Sequence, residues 1–295
     1  MLAFFRDYGL LIVLSIIWGM AFVAIRSAVG PPNSELTPVN LTVLRWLIVS
    51  AGFLVIYPFV IRPKTKFEWK DFPRLFVVGL TSVVIYHLAL NTSETIVDAS
   101  LAGLLISLSP LFIVLLSAVF LHEKVGRRRW FAVALAIAGA VAISTPDLTL
   151  GSGNAVGPLL VVVAALASAT FTVSSKPLVT KYGPFAIAAW AAFVGTAMLT
   201  PLISPGLLSQ AASLSFDGWA AVLYLAILST VLANLIFFTL VHGQAVSRLG
   251  IQLYLVPVVS AVGGVVVLGE SLGAATIVGG ALILAAIAIA TTARR

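Results

Sequence analysis

Apolar residues run through this chain in long blocks, and polar residues collect in the short gaps between them. A hydrocarbon core about 30 Å thick asks for about 20 apolar residues per spanning helix. The blocks predict ten such helices, over 9–29, 38–61, 72–91, 99–121, 130–145, 157–179, 185–203, 219–241, 247–268 and 275–292. Proline and glycine punctuate the gaps. Pro31-Pro32 closes the first block, Pro38 opens the second and Pro63 closes it. Thr145-Pro146-Asp147 and Gly151-Ser152-Gly153 mark the middle of the chain, and Pro205-Gly206 follows the seventh block. The run from Gly9 to Val29 follows Arg6 and Asp7, and it exceeds the 7–15 residues of a secretory h-region, so it reads as a first membrane helix.

Composition sharpens the picture. Of 295 residues 61% are hydrophobic and 9% charged, against about 25% charged in soluble domains. Water cannot solvate such a surface, so lipid must cover it. The formal charge of +7 does not indicate a nucleic-acid partner, because the cations sit in short clusters between apolar blocks. With the N-terminus in the cytoplasm and sides alternating, 15 of the 17 Lys and Arg residues fall in cytoplasmic segments, as the positive-inside rule asks. The outer loops carry Glu35, Glu94, Asp98, Asp147, Asp217 and Glu270 instead. This predicts a multi-pass protein of the inner (plasma) membrane with both termini cytoplasmic. Cysteine is absent, which removes disulfides and thiolate sites.

The chain also repeats itself. A shift of 147 residues brings Ser82 onto Ser229, Ser100 onto Ser247 and Gly103 onto Gly250. It brings Pro110 onto Pro257, Glu123 onto Glu270 and Gly126 onto Gly273. Five helices per repeat is an odd number, so the second repeat enters the membrane upside down. Inverted repeats of this kind build secondary transporters, with the substrate site near the midplane between them. The predicted fold is therefore all-α: a polytopic membrane bundle of ten transmembrane helices made of two inverted five-helix repeats, over 1–150 and 151–295.

Several motifs resemble the EamA branch of the drug/metabolite transporter superfamily. They are Leu14 to Val23 around Trp18-Gly19, Leu44-Arg45-Trp46, and Ala99-Ser100-Leu101-Ala102 followed by Pro110 and Leu121-His122-Glu123-Lys124. The last signature returns as Leu255-Val256-Pro257 and Leu268-Gly269-Glu270-Ser271-Leu272. The resemblance covers nearly the whole chain and implies two EamA-like repeats and export of amino acids or related metabolites. Helix six departs from the pattern, with Ala169-Thr170-Phe171 where a Trp-Gly motif would stand, and Ala191 stands near the place of a second Arg45.

Polar groups inside lipid are costly, and each is a functional candidate. His87, Asn91 and Glu94 share one helical face, either as a polar wall of a cavity or as an interhelical hydrogen-bond cluster. The second reading is the favoured one for Glu94. His87 corresponds to Asn234 under the shift, and Tyr86 points about 100° away from His87 around the helix. The predicted substrate contacts are Trp18, Tyr86, His87, Asn91, Asn234, Gln252 and Tyr254. His87, with an ordinary pKa near 6.5, is the candidate for proton coupling. Arg26 and Arg45 can each snorkel to the headgroups, and Arg45 can instead face a carboxylate substrate; the favoured reading for Arg45 is structural, paired with an outer-loop acid. Glu123 and Glu270 suit the positive N-termini of the helices that follow them. Pro110 and Pro257, at the middle of their helices, are candidate hinges that free the carbonyls of Ile106 and Leu253.

No P-loop, HExxH or GxSxG motif occurs, so no catalytic residue, metal or cofactor is assigned. The partners predicted are a small-molecule substrate and the lipid bilayer, with monomer and homodimer both open. The favoured function is a secondary exporter of amino acids or related metabolites working by alternating access. Transport of nucleosides, sugars or cationic drugs, a membrane enzyme or lipid-handling protein, and a non-transporting subunit remain alternatives.

Overall fold

A computed structural model describes residues 2–32, 34–60, 65–120, 126–149, 155–237 and 252–292. Every regular element among them is helical. Helices α1 (Leu2–Val29) and α2 (Pro38–Val60) are followed by α3 (Phe72–Gly79) and α4 (Tyr86–Ser93), which form one rod through a π-helical turn at Leu80–Ile85. Next come α5 (Ala99–Ile106), α6 (Ser109–Phe120) and α7 (Arg127–Thr149). The later part of the chain holds α8 (Val156–Tyr182), α9 (Pro184–Leu199), α10 (Gly206–Ser213) and α11 (Phe216–Leu223). A second π-helical stretch, Tyr224–Leu232, extends α11, and α12 (Gln252–Leu268) and α13 (Ala274–Thr292) complete the description.

Among the described residues seven helical rods are long and apolar enough to cross a bilayer, and three shorter apolar helices lie at Trp130–Ile143, Leu255–Leu268 and Ala274–Ala290. Many of their large apolar side chains, such as Val55, Phe59, Ile137 and Val266, point outward, which suits lipid and not water. Two expectations shift. The helix α7 continues to Thr149, past the break expected at Thr145-Pro146-Asp147. The gap after the seventh block contains α10, whose eight residues are too few for an apolar block to reveal.

Close packing in lipid relies on small residues, because lipid tails are as apolar as leucine and supply no hydrophobic drive. The α7–α13 pair shows this. A Cβ on Gly139 would stand 2.7 Å from the Gly279 carbonyl oxygen, and one on Gly279 would stand 2.5 Å from that of Gly139. In the α1–α12 pair Gly19 faces Val259 and Gly263 faces Met20 in the same way.

Polar contacts gather at two ends of the bundle. At the end reached by the C-terminus of α1, the Glu35 carboxylate accepts from the Ser215 backbone and hydroxyl, both at 2.6 Å. These two bonds hold its pKa below the ordinary carboxylate range. The Glu270 carboxylate accepts from the N–H groups of Ala99 (2.7 Å) and Ser100 (3.0 Å). It thus caps α5, contributed by the other half of the chain, and not the helix that follows it in sequence as the local pattern suggested. Two donors of a helix N-terminus are satisfied this way. At the opposite end, Lys181 Nζ lies 2.6 Å from Glu68 and 2.7 Å from Asp71, and Tyr182 donates to Asp71 at 2.6 Å. Glu123 lies outside the described residues.

The two π-helical turns fall at related places. The 147-residue shift carries Leu80–Ile85 onto 227–232, inside Tyr224–Leu232. Such turns leave parts of the backbone ladder irregular and recur at functional sites.

Candidate functional site

A cavity of about 590 Å³ lies between the first and second halves of the chain. Sites for small ligands run from about 300 to 1,000 Å³, so this one matches a small metabolite. Its walls come from α1, α2, α4, both π-helical turns, α5, α6, α8, α9, α12 and the turn after the second π stretch. Most of the lining is apolar, with Phe22, Ile106, Ile113 and Phe171 prominent.

Arg45 is the charged group on this wall. It sits in the first half of α2 and is only 4% exposed. One terminal nitrogen, Nη2, donates to Thr230 Oγ1 at 2.9 Å, and Nη1 lies 3.4 Å from His87 Nδ1. The guanidinium is the donor in that second contact, so the ring nitrogen facing it is the acceptor. Arg45 Nε has no partner. Thr230 can accept because its own proton goes to the Leu225 carbonyl, 2.8 Å away and five residues back across the π turn. The outer-loop acid that sequence reasoning gave Arg45 is not there: among the described residues no carboxylate lies within bridging distance of it. Of the outer-loop acids, Glu270 sits on the α5 N-terminus and Asp98 lies 3.4 Å from Arg26, while Glu94 acts on Arg45 only through space and makes no bond to it. The signal available in the sequence was an arginine in an apolar helix with no acid at i±3 or i±4.

His87 packs edge-on to Trp46 at 5.1 Å and to Tyr86 at 4.8 Å between ring centroids. Tyr86 and His87 both line the cavity, although they point about 100° apart, because the cavity wraps round that side of the helix. Trp18 also lines it; its indole N–H donates to the Ser229 carbonyl at 3.2 Å and its ring leans on Phe237 at 5.6 Å. Asn234 completes the set that the structure brings together.

Asn91 is placed elsewhere. It is fully buried and donates to Thr42 Oγ1 at 2.8 Å, which ties α4 to α2 away from the cavity wall. Glu94 is also fully buried, and neither oxygen of its carboxyl has a hydrogen-bond partner. The hydrogen-bond cluster expected of it does not form through its side chain, because Arg26 donates to the Glu94 main-chain carbonyl instead. The backbone of Gln252 lies at the start of α12, and the side chains of Gln252 and Tyr254 lie outside the described residues. Sequence reasoning missed the hydroxyl groups of the wall, among them Ser82, Ser107, Ser168, Thr172, Ser229 and Thr230. Serine and threonine are common in membrane helices, so nothing local marks these.

Pro110 and Pro257 line the cavity too. The chain breaks between Ile106 and Ser109, so Pro110 falls in the first turn of α6 and not at mid-helix. The Ile106 carbonyl accepts from Ser109 Oγ at 2.7 Å. By contrast α12 runs unbroken through Pro257.

Apolar rods, a central cavity shared by the two halves and a buried polar cluster define a multi-pass membrane protein with room for a small solute. The profile of the EamA-like transporter family matches residues 7–145 and again 155–292, and the chain belongs to that family. A protein of Archaeoglobus fulgidus named an uncharacterized transporter is 32% identical over 277 residues, covering 94% of this chain and 95% of its own. One from Streptantibioticus cattleyicolor, named a probable terminal-alkyne amino-acid exporter, is 31% identical over 94% of this chain and 90% of its own. A chain of known crystal structure aligns with a TM-score of 0.63 at 20% identity, over 97% of this chain and 96% of its own. At that identity the likeness speaks for the fold alone.

Proposed function

We propose that this protein is a secondary transporter that exports amino acids or closely related small metabolites by alternating access. The observation that carries the reading is the cavity between the halves, apolar on most of its wall and holding Arg45, His87, Trp18 and Asn234. A few placed polar groups in an apolar cavity fix a ligand's orientation while its hydrocarbon part is buried. The family supports transport, and the Streptantibioticus relative's name supports an amino-acid-like cargo. In this reading the chain forms ten spans in two inverted repeats, 1–150 and 151–295. The paired π turns and the two family matches are what support the repeats.

The transport reading is tested with the purified chain in proteoliposomes loaded with a panel of amino acids and their derivatives. Exchange of at least one solute is expected, and His87→Ala and Asn234→Ala should each lower its rate about tenfold with insertion unchanged. Wild-type rates in both variants would remove these side chains from the site. Orientation is part of the same proposal, with both termini in the cytoplasm of the plasma membrane. The natural absence of cysteine makes it testable. A cysteine replacing Ser152 should react with an impermeant thiol reagent applied to cells, and one replacing Lys66 should not. The reverse labelling would invert the topology.

A further inference from the structure

We infer that the cavity selects a carboxylate without an accompanying ammonium, so that its preferred cargo is a monoanionic organic acid of amino-acid size, such as a 2-oxo or N-acylated amino acid. This rests on the transport reading above and narrows its substrate class.

The charge of the wall is one-sided. Arg45 is buried, keeps Nε without a partner and bonds through Nη2 to a neutral hydroxyl. Among the described residues no carboxylate contacts this buried cation, which feels Glu94 only through space. An arriving carboxylate would offset its desolvation at contact and gain the strong charge-assisted geometry of the guanidinium fork. Among the described residues no comparable group on the wall awaits an ammonium. Of the ten Asp and Glu residues in the chain, seven have described side chains, and none of the seven lines the cavity. Glu94, the residue that follows α4, is buried and off the wall. Among the described lining residues an ammonium would meet uncharged acceptors, and it would share a low-dielectric space with the guanidinium, where like charges repel far more than in water. The hydrocarbon part of either ligand is served equally by Phe22, Ile106 and Phe171. The ionic head therefore decides between an acid and a zwitterion.

Three probes with one carbon skeleton separate the readings: 4-methylpentanoate (acid only), leucine (zwitterion) and isopentylamine (ammonium only). Binding to the purified full-length chain is measured for each by thermal stabilisation over a concentration series. The acid is expected to bind at least about tenfold tighter than leucine, and the amine to give no shift. Arg45→Gln should bring the acid down to the level of leucine, and Arg45→Lys should keep part of the preference, as a point charge without the fork. A purely structural Arg45 would lower the melting temperature of the variants without changing the ratio among the probes. Leucine binding as tightly as the acid, or any binding of the amine, overturns the inference, whatever happens to the variants. Silence of all three probes overturns it as well. Proteoliposomes that still exchange another solute would then leave the transport reading standing, and loss of all exchange would sink both.

Discussion

Replacing Gly139 with leucine is expected to destabilise the protein by at least about 3 kcal/mol and to remove most of the monodisperse, folded fraction from detergent extracts. The reason is where the clash falls. A side chain at Gly139 meets the carbonyl oxygen of Gly279 and the backbone nitrogen of Ile283, and one at Gly279 meets the carbonyl of Gly139. Backbone cannot change rotamer to make room, so α7 and α13 would have to separate. Separation is costly in lipid, because the attraction between these helices is contact itself and falls steeply with distance. Gly139→Ala should show a smaller loss in the same direction. Gly126→Leu is the control, since nothing lies within 4 Å of a Cβ at that position. Melting temperature and the monodisperse fraction on size exclusion are the measurements. A Gly139→Leu protein as stable as Gly126→Leu would show that the helix pair tolerates wider spacing.

What the sequence made legible follows from what lipid demands of every span. Each segment must bury its backbone polar groups within itself and present about twenty apolar residues. The block structure therefore placed α1, α2, α8 and α9 to within a few residues, apart from the N-terminal extension of α1 to Leu2. The cavity was legible only in outline. His87 and Asn234 stood out as polar residues related by the repeat, and both line it. Asn91 shares a face with His87, yet it turns to Thr42, since a helical wheel gives a direction and not the neighbour met there. The Arg45–Thr230 contact joins residues 185 positions apart, and the π turn that makes Thr230 available has no local signature. The tie between Glu270 and α5 also crosses the two halves, so the charge pattern could place Glu270 at a helix N-terminus without saying which helix.

On the proposed alternating-access reading, replacing Pro110 with alanine is expected to slow transport by about tenfold or more and to shift the protein toward one of the two access states. In the present arrangement the α5–α6 rod is broken between Ile106 and Ser109, while its counterpart α12 is continuous through Pro257. We take this inequality as the structural difference between the gates, with Pro110 and Pro257 as their hinges. Alanine restores an N–H at position 110, and the Ile106 carbonyl that now accepts from Ser109 is available to take it. A proline within a helix costs about 3 kcal/mol, and recovering even half of that favours the straight rod about tenfold. Transport needs both states, so a bias that traps one slows the cycle whichever state it is. Pro257→Ala removes no break from α12 and is expected to bias the opposite way, by deepening the straight form already present. The readout is the labelling rate of single cysteines placed at the two mouths of the cavity, measured in each variant with and without substrate. Opposite shifts in the two variants are expected, together with slower exchange in proteoliposomes. Unchanged labelling and unchanged exchange in both would reduce the prolines to packing residues of the cavity wall.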